Sequence, residues 1–140
     1  MLTLAGSPSP GAFAPEGTEW LVDASGCPAG RLRSLAALEG LFARIIDELA
    51  LHPVRPPAWH AFPGEGGLSG MVVLSESHLA CHTFPEHGYA AFSLYCCRPR
   101  PEWPWAARLA ELLGATVVTV HAVARGAVRA GAAGGTFQRR

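Results

Sequence analysis

Charge is scarce in this chain. Only 16% of its 140 residues are Asp, Glu, Lys or Arg, against about 25% in average usage. The 11 basic and 11 acidic residues cancel, so no basic field exists to hold a nucleic-acid backbone, and nucleic-acid partners are excluded. No apolar run approaches the ~20 residues of a membrane-crossing helix. The segment Met1 to Pro15 also lacks the basic start of a secretion signal. A cytoplasmic protein without a membrane partner is therefore expected. The cysteines, Cys27, Cys81, Cys96 and Cys97, include no Cys-x2-Cys pair, which argues against zinc, and no metal site is expected. In a chain without a signal they are expected as thiols. With 49% apolar residues and so few charges, the chain is expected to hide surface in an oligomer.

The length fits one domain with a modest core. Residues 1–18 are rich in Gly, Pro, Ser and Ala and read as a flexible leader. Residues 19–123 carry the patterned part, and 124–140 read as a loose tail. Trp20 to Ala24 is a short strand. Leu35, Leu38, Leu41, Phe42, Ile45, Ile46 and Leu49 recur at helical spacing and predict a helix to Leu51, with Ser34 as its N-cap. Strands are predicted at Ala58–Phe62, Ser69–Ser77, Leu79–Phe84, Tyr89–Cys97 and Thr116–Val123. A second helix, Trp103–Leu113, is stopped by Gly114. This order predicts an α+β fold, a two-layer sandwich of antiparallel sheet with two helices on one face.

The chemistry concentrates around one bond. An apolar strand, Met71 to Leu74, runs into Ser75-Glu76-Ser77-His78, and Cys81, His82 and Glu86 follow within ten residues. A serine hydroxyl can attack the carbonyl before it and turn the amide into an ester. β-Elimination then leaves dehydroalanine, which hydrolyses to a pyruvoyl group. Rigid flanking strands would position the hydroxyl. His82, Ser69 and Ser75 are candidates for proton transfer and hydrogen bonding. Read singly, these residues have plain structural readings. Phe62 and Phe84 fit a core, Glu86 a solvated turn, Cys97 an inert thiol and His82 a structural histidine. His52, His60 and His121 are scattered and carry no argument.

The string Ser69-Gly70-Met71-Val72-Val73-Leu74-Ser75-Glu76-Ser77-His78-Leu79-Ala80-Cys81-His82-Thr83-Phe84-Pro85-Glu86-His87-Gly88-Tyr89-Ala90-Ala91 resembles the core signature of the bacterial type of S-adenosylmethionine decarboxylase, a pyruvoyl-dependent family. The resemblance extends to Cys97 and, more loosely, to Asp23-Ala24-Ser25-Gly26-Cys27. It implies a proenzyme that cuts itself between Glu76 and Ser77, with a covalent pyruvoyl cofactor derived from Ser77. That ketone would condense with a substrate amine to a Schiff base and draw electrons from the breaking carboxylate bond.

The resemblance further implies that Ser69 and His82 take part in processing and that Cys97 is the thiol acid that reprotonates the product. It makes Glu86 the carboxylate for the ribose, with Phe62 and Phe84 beside the adenine and the sulfonium. The implied product is decarboxylated S-adenosylmethionine for spermidine synthesis, made by a homodimer with sites near the subunit interface.

The chain departs from the family at Phe84 (usually Trp), Ala80 (Thr), Ser93 (Asp), Cys96 (Thr), Arg98 (Gly) and Trp20 (commonly His). Two alternatives therefore stand beside the first reading. One is a pyruvoyl-dependent arginine or ornithine decarboxylase. The other is a non-catalytic ligand-binding homologue or paralogous subunit.

Overall fold

A computed structural model describes residues 16–126. Six strands form one antiparallel sheet in the order β2-β3-β4-β5-β1-β6. They are β1 (Glu16–Ser25), β2 (Ala58–Ala61), β3 (Leu68–Leu74), β4 (Ser77–Phe84), β5 (Tyr89–Cys96) and β6 (Val117–Gly126). Three helices accompany them: α1 (Ala29–Leu32), α2 (Leu35–Glu48) and α3 (Trp105–Leu113). The expected α+β architecture is the one observed.

β1 and β6 pair from Glu16↔Gly126 to Ser25↔Val117. Both strands thus reach past the ends of the 19–123 span, and the rest of the leader and tail lies outside the described residues.

The helix ends follow local chemistry. Ser34 Oγ accepts from the Ala37 N–H at 3.1 Å and caps α2 as expected. Gly114 adopts φ 69° and ends α3, a backbone shape that glycine takes without a Cβ clash. Pro104 pushes the start of α3 two residues past the predicted Trp103. α1 lies between Pro28 and Arg33 and is too short to show a period.

Burial alternates along β3 and β5, as period-two strands with one covered face require. The covered face joins Val22, Val72, Leu79, Phe92 and Leu94 to Leu38, Phe42 and Ile45 of α2 and Leu109 of α3 in one core. The other face carries Leu21, Met71, Val73, Phe84 and Val123, all exposed.

Thr83 ties α1 to the sheet. Its hydroxyl donates to the Leu32 carbonyl at 2.8 Å and accepts the Leu68 N–H at 2.9 Å. Both partners are buried. Thr83→Val keeps the shape and strands a donor and an acceptor. It should cost about 2–4 kcal/mol, taking the usual penalty for each buried group left unpaired. A urea unfolding midpoint would register that loss, and an unchanged midpoint would contradict it.

Candidate active site

β3 and β4 meet in a two-residue hairpin, Leu74↔Ser77, with Ser75 and Glu76 as its loop. Two-residue loops normally use positive φ and favour Asn or Gly. Here neither loop residue has positive φ. The turn is held from outside instead. The Ser75 N–H donates to the His52 carbonyl at 2.8 Å. The Glu76 carboxylate accepts the His52 N–H at 2.9 Å and the Ser75 hydroxyl at 2.8 Å, and lies 2.6 Å from His52 Nδ1. Arg100 Nη2 lies 3.8 Å from the same carboxylate.

Glu76 is only 8% exposed. Burial by itself would raise its pKa, but the hydrogen bonds from the His52 side chain, the His52 backbone and Ser75 outweigh it and hold the carboxyl down at about 2. An unfolded glutamate titrates near ~4.3, so the group is depressed by folding, and its contribution is complete above that value. The contribution is lost as pH falls from about 5 towards about 2. Urea midpoints of a Ser77→Ala chain should therefore drop over this range. Adding Glu76→Gln should flatten that drop, and an unchanged acid slope would remove Glu76 as its source.

The Glu76–Ser77 bond has a built donor. The carbonyl oxygen of Glu76 accepts the Cys97 N–H at 2.9 Å. An N–H already on that oxygen would also stabilise the oxyanion formed when a hydroxyl attacks the carbonyl carbon. Ser77 pairs with Cys96 across the β4–β5 ladder, so Ser77 and Cys97 occupy the same end of the sheet. All four cysteines are free thiols. Burial pushes the Cys81 thiol up to about 12 and that of Cys96 up to about 11, whereas Cys97 is only half-buried. Of the adjacent pair, Cys97 is the thiol within reach of solvent.

The remaining expected residues lie elsewhere. Ser69 and His82 are direct ladder partners, and Ser69 Oγ shares a hydrogen bond of 2.8 Å with His82 Nδ1. His82 is five residues along β4 from Ser77, which at about 3.4 Å per residue is ~17 Å away. Phe84 ends β4, ~24 Å from Ser77 by the same rise, and Glu86 follows in a 3-10 turn, Pro85–His87.

Phe62 sits at that far end too. Its N–H donates to the Gly67 carbonyl at 2.8 Å, and Gly67 packs so closely on the Thr83 carbonyl that a Cβ would stand 2.6 Å from it. Phe62 and Phe84 are exposed rather than core. Phe84 stacks on Tyr89 with ring centroids 5.6 Å apart, and the Tyr89 hydroxyl donates to Asp23. That bond is the main reason the phenol is pushed up to about 12. The structure thus separates the hairpin end, where cleavage is expected (Glu76, Ser77, Cys97), from a far end (Phe62, Phe84, Glu86), with the Ser69–His82 pair between them.

Ser75, a candidate for assisting the cleaved bond, instead donates to the Glu76 side chain. His52 and Arg100 hold Glu76 and were invisible in the sequence, because each lies 24 positions from Glu76 with no local pattern linking them. Two departures from the family pattern, Ala80 and Ser93, are direct partners across β4 and β5. Trp20, a third, is buried in the core. Among the described residues no group of three or more His, Cys, Asp or Glu could hold a metal ion. Nor is any described helix long and apolar enough to cross a membrane.

A single antiparallel sheet with helices on one face and a serine hairpin at one end defines the class. The family model described as S-adenosylmethionine decarboxylase matches residues 18–126. S-adenosylmethionine decarboxylase proenzyme 2 of Halalkalibacterium halodurans is 39% identical over 102 residues, covering 72% of this chain and 79% of that protein. The S-adenosylmethionine decarboxylase proenzyme of Acetivibrio thermocellus is 40% identical over 115 residues, covering 79% and 88%. In fold, the chain is similar to the crystal structure of the adenosylmethionine decarboxylase from Aquifex aeolicus, with a TM-score of 0.68 at 24% identity over 84% of this chain and 96% of that one. The chain belongs to the S-adenosylmethionine decarboxylase family.

Proposed function

We propose that this protein is a self-processing, pyruvoyl-dependent decarboxylase that converts S-adenosylmethionine to decarboxylated S-adenosylmethionine and CO2, for spermidine synthesis. The observation that carries the reading is the Glu76–Ser77 hairpin, whose carbonyl already accepts an N–H from Cys97 at 2.9 Å. The donor set fits a group made from Ser77, since the hydroxyl's target carbonyl is polarised and Cys97 is beside it. A pyruvoyl group supplies a ketone that binds the substrate amine and accepts electrons as CO2 departs. Glu76 becomes a new chain end, held by His52 and Ser75. Cys97 delivers the proton that replaces the carboxylate.

The active protein is a homodimer whose uncovered sheet faces stack on each other. Exposed Leu21, Met71, Val73 and Val123 on that face favour a partner. A two-fold axis lying between the faces and across the strands reverses strand direction. It lays the far end of one protomer over the cleavage end of the other. His82 and Ser69 then act on the partner's hairpin, with Phe62 and Phe84 flanking adenine and Glu86 accepting from the ribose hydroxyls. This arrangement accounts for a processing histidine ~17 Å from its own Ser77, too far for proton transfer.

The direct test is CO2 release from purified protein given S-adenosylmethionine, arginine or ornithine separately. Release from S-adenosylmethionine is expected. Phe62→Ala and Phe84→Ala should each weaken its use by ~1–3 kcal/mol, the scale of base stacking on aromatics. Release from arginine or ornithine alone would overturn the substrate and leave the self-processing chemistry standing.

A further inference from the structure

Cleavage creates a charge that the uncut chain does not have. In the first step Ser77 Oγ bonds to the Glu76 carbonyl carbon, the Glu76–Ser77 C–N bond breaks, and the Ser77 nitrogen takes up a proton. The product is an ester of unchanged mass. In the second step a base removes the Ser77 α-proton, and that electron pair forms the Cα=Cβ bond. The Cβ–Oγ bond then breaks, and Glu76 leaves with its electrons as an α-carboxylate. Water later replaces the Ser77 nitrogen, which departs as ammonia. The second step releases an anion on a residue whose side chain is already a buried anion.

The Glu76 side chain does not need a further partner. His52 and Ser75 supply contacts of 2.6, 2.8 and 2.9 Å. Yet Arg100 stands against it, with Nη2 at 3.8 Å from Oε2, beyond hydrogen-bond reach. Arg100 Nη1 donates to the neighbouring Pro99 carbonyl, at 3.4 Å. Its Nε is buried and has no acceptor among the described residues. A buried donor without an acceptor is rare and calls for an explanation. The guanidinium also acts electrostatically on Cys96, the ladder partner of Ser77, as Glu76 does. So a cation with an unused N–H lies beside the residue that is about to gain a carboxylate. The Cys97 N–H already sits on the oxygen that this carboxylate will inherit.

We propose that Arg100 receives the α-carboxylate that cleavage makes at Glu76, and so stabilises the leaving group of the β-elimination step. The proposal rests on the self-cleavage reading above. A planar, permanently charged fork suits a carboxylate better than an ammonium does. The Arg100 Nε–H is unused during ester formation and is engaged when the ester breaks. It acts on elimination and not on the first acyl shift.

The test follows cleavage of freshly synthesised wild-type, Arg100→Met and Arg100→Lys chains on denaturing gels, with and without hydroxylamine, which cuts esters and spares amides. Arg100→Met should slow the appearance of fragments 1–76 and 77–140 by tenfold or more. Its uncut chain should build up as a hydroxylamine-sensitive ester. Arg100→Lys should be slowed less and should also show the ester, which keeps the test valid if the methionine variant does not fold. Wild-type cleavage rates in either variant would overturn the proposal. So would a folded, uncut variant chain that resists hydroxylamine, since the arginine would then act before the ester. A wild-type chain that gives neither fragments nor ester would instead sink the self-cleavage reading.

Discussion

Neither a Ser77→Ala chain nor a His82→Ala chain should cut itself when made alone, and co-expression of the two should restore cutting. Ser77→Ala removes the proposed attacking hydroxyl. His82→Ala removes the proposed proton-transfer group, which must come within ~3 Å of its target to act. In one protomer His82 lies five residues along an extended strand from Ser77, ~17 Å away. If the partner supplies His82, a mixed dimer holds one complete site, made of Ser77 from the His82→Ala chain and His82 from the Ser77→Ala chain. Its other site lacks both groups. Only the His82→Ala chain should therefore be cut, and only in mixed dimers. Mass spectrometry of the co-expressed protein reads this directly. No cutting in a confirmed mixed dimer would place the histidine's role in its own protomer or remove it from processing.

Loss of the thiol at position 97 should separate turnover from processing. The main chain of Cys97, not its side chain, touches the Glu76 carbonyl, at 2.9 Å. Cys97→Ala keeps that N–H, so fragments 1–76 and 77–140 should still form. What disappears is the half-buried thiol beside the hairpin, the proposed acid. Cys96 cannot stand in for it, because it is buried in the core and its thiol is pushed up to about 11. Decarboxylation should fall by ~10²-fold or more, the usual scale for a lost general acid. Steady-state rates of the processed variant decide the point, and wild-type turnover would take Cys97 out of the mechanism.

Much of the frame was legible because its signals are local. The helix start at Leu35, its Ser34 cap and the Gly114 stop each depend on residues a few positions apart, whereas the predicted end at Leu51 overruns the observed end at Glu48. The alternation of Tyr89, Ala91, Ser93 and Tyr95 on one face of β5 needs only a period of two. Strand length was less legible. β1 and β6 extend to Glu16 and Gly126 through each other's hydrogen bonds, a pairing across the whole sequence. The roles of His52 and Arg100 leave no mark in the sequence for the same reason, since their partner Glu76 is a neighbour only after folding.

The string from Ser77 to Glu86 held the opposite lesson. Its residues look clustered because they are close in sequence, yet an extended strand spreads them along the sheet. Closeness in sequence marks a shared site on a helix or a turn. On a strand it marks a line, and a second protomer is the simplest way to fold that line back on itself. The Ala80–Ser93 pair illustrates the converse, since two departures far apart in sequence prove to be one cross-strand contact.

If Ser77 is both the cutter and the source of the reactive carbonyl, intact mass analysis of freshly purified wild-type protein after prolonged incubation should show it. Two fragments, 1–76 and 77–140, are expected, with the second blocked at its N-terminus and carrying the mass of a pyruvoyl group in place of serine. A single uncut chain with an unmodified serine at position 77, or a second fragment that begins with a free serine amine, would contradict it.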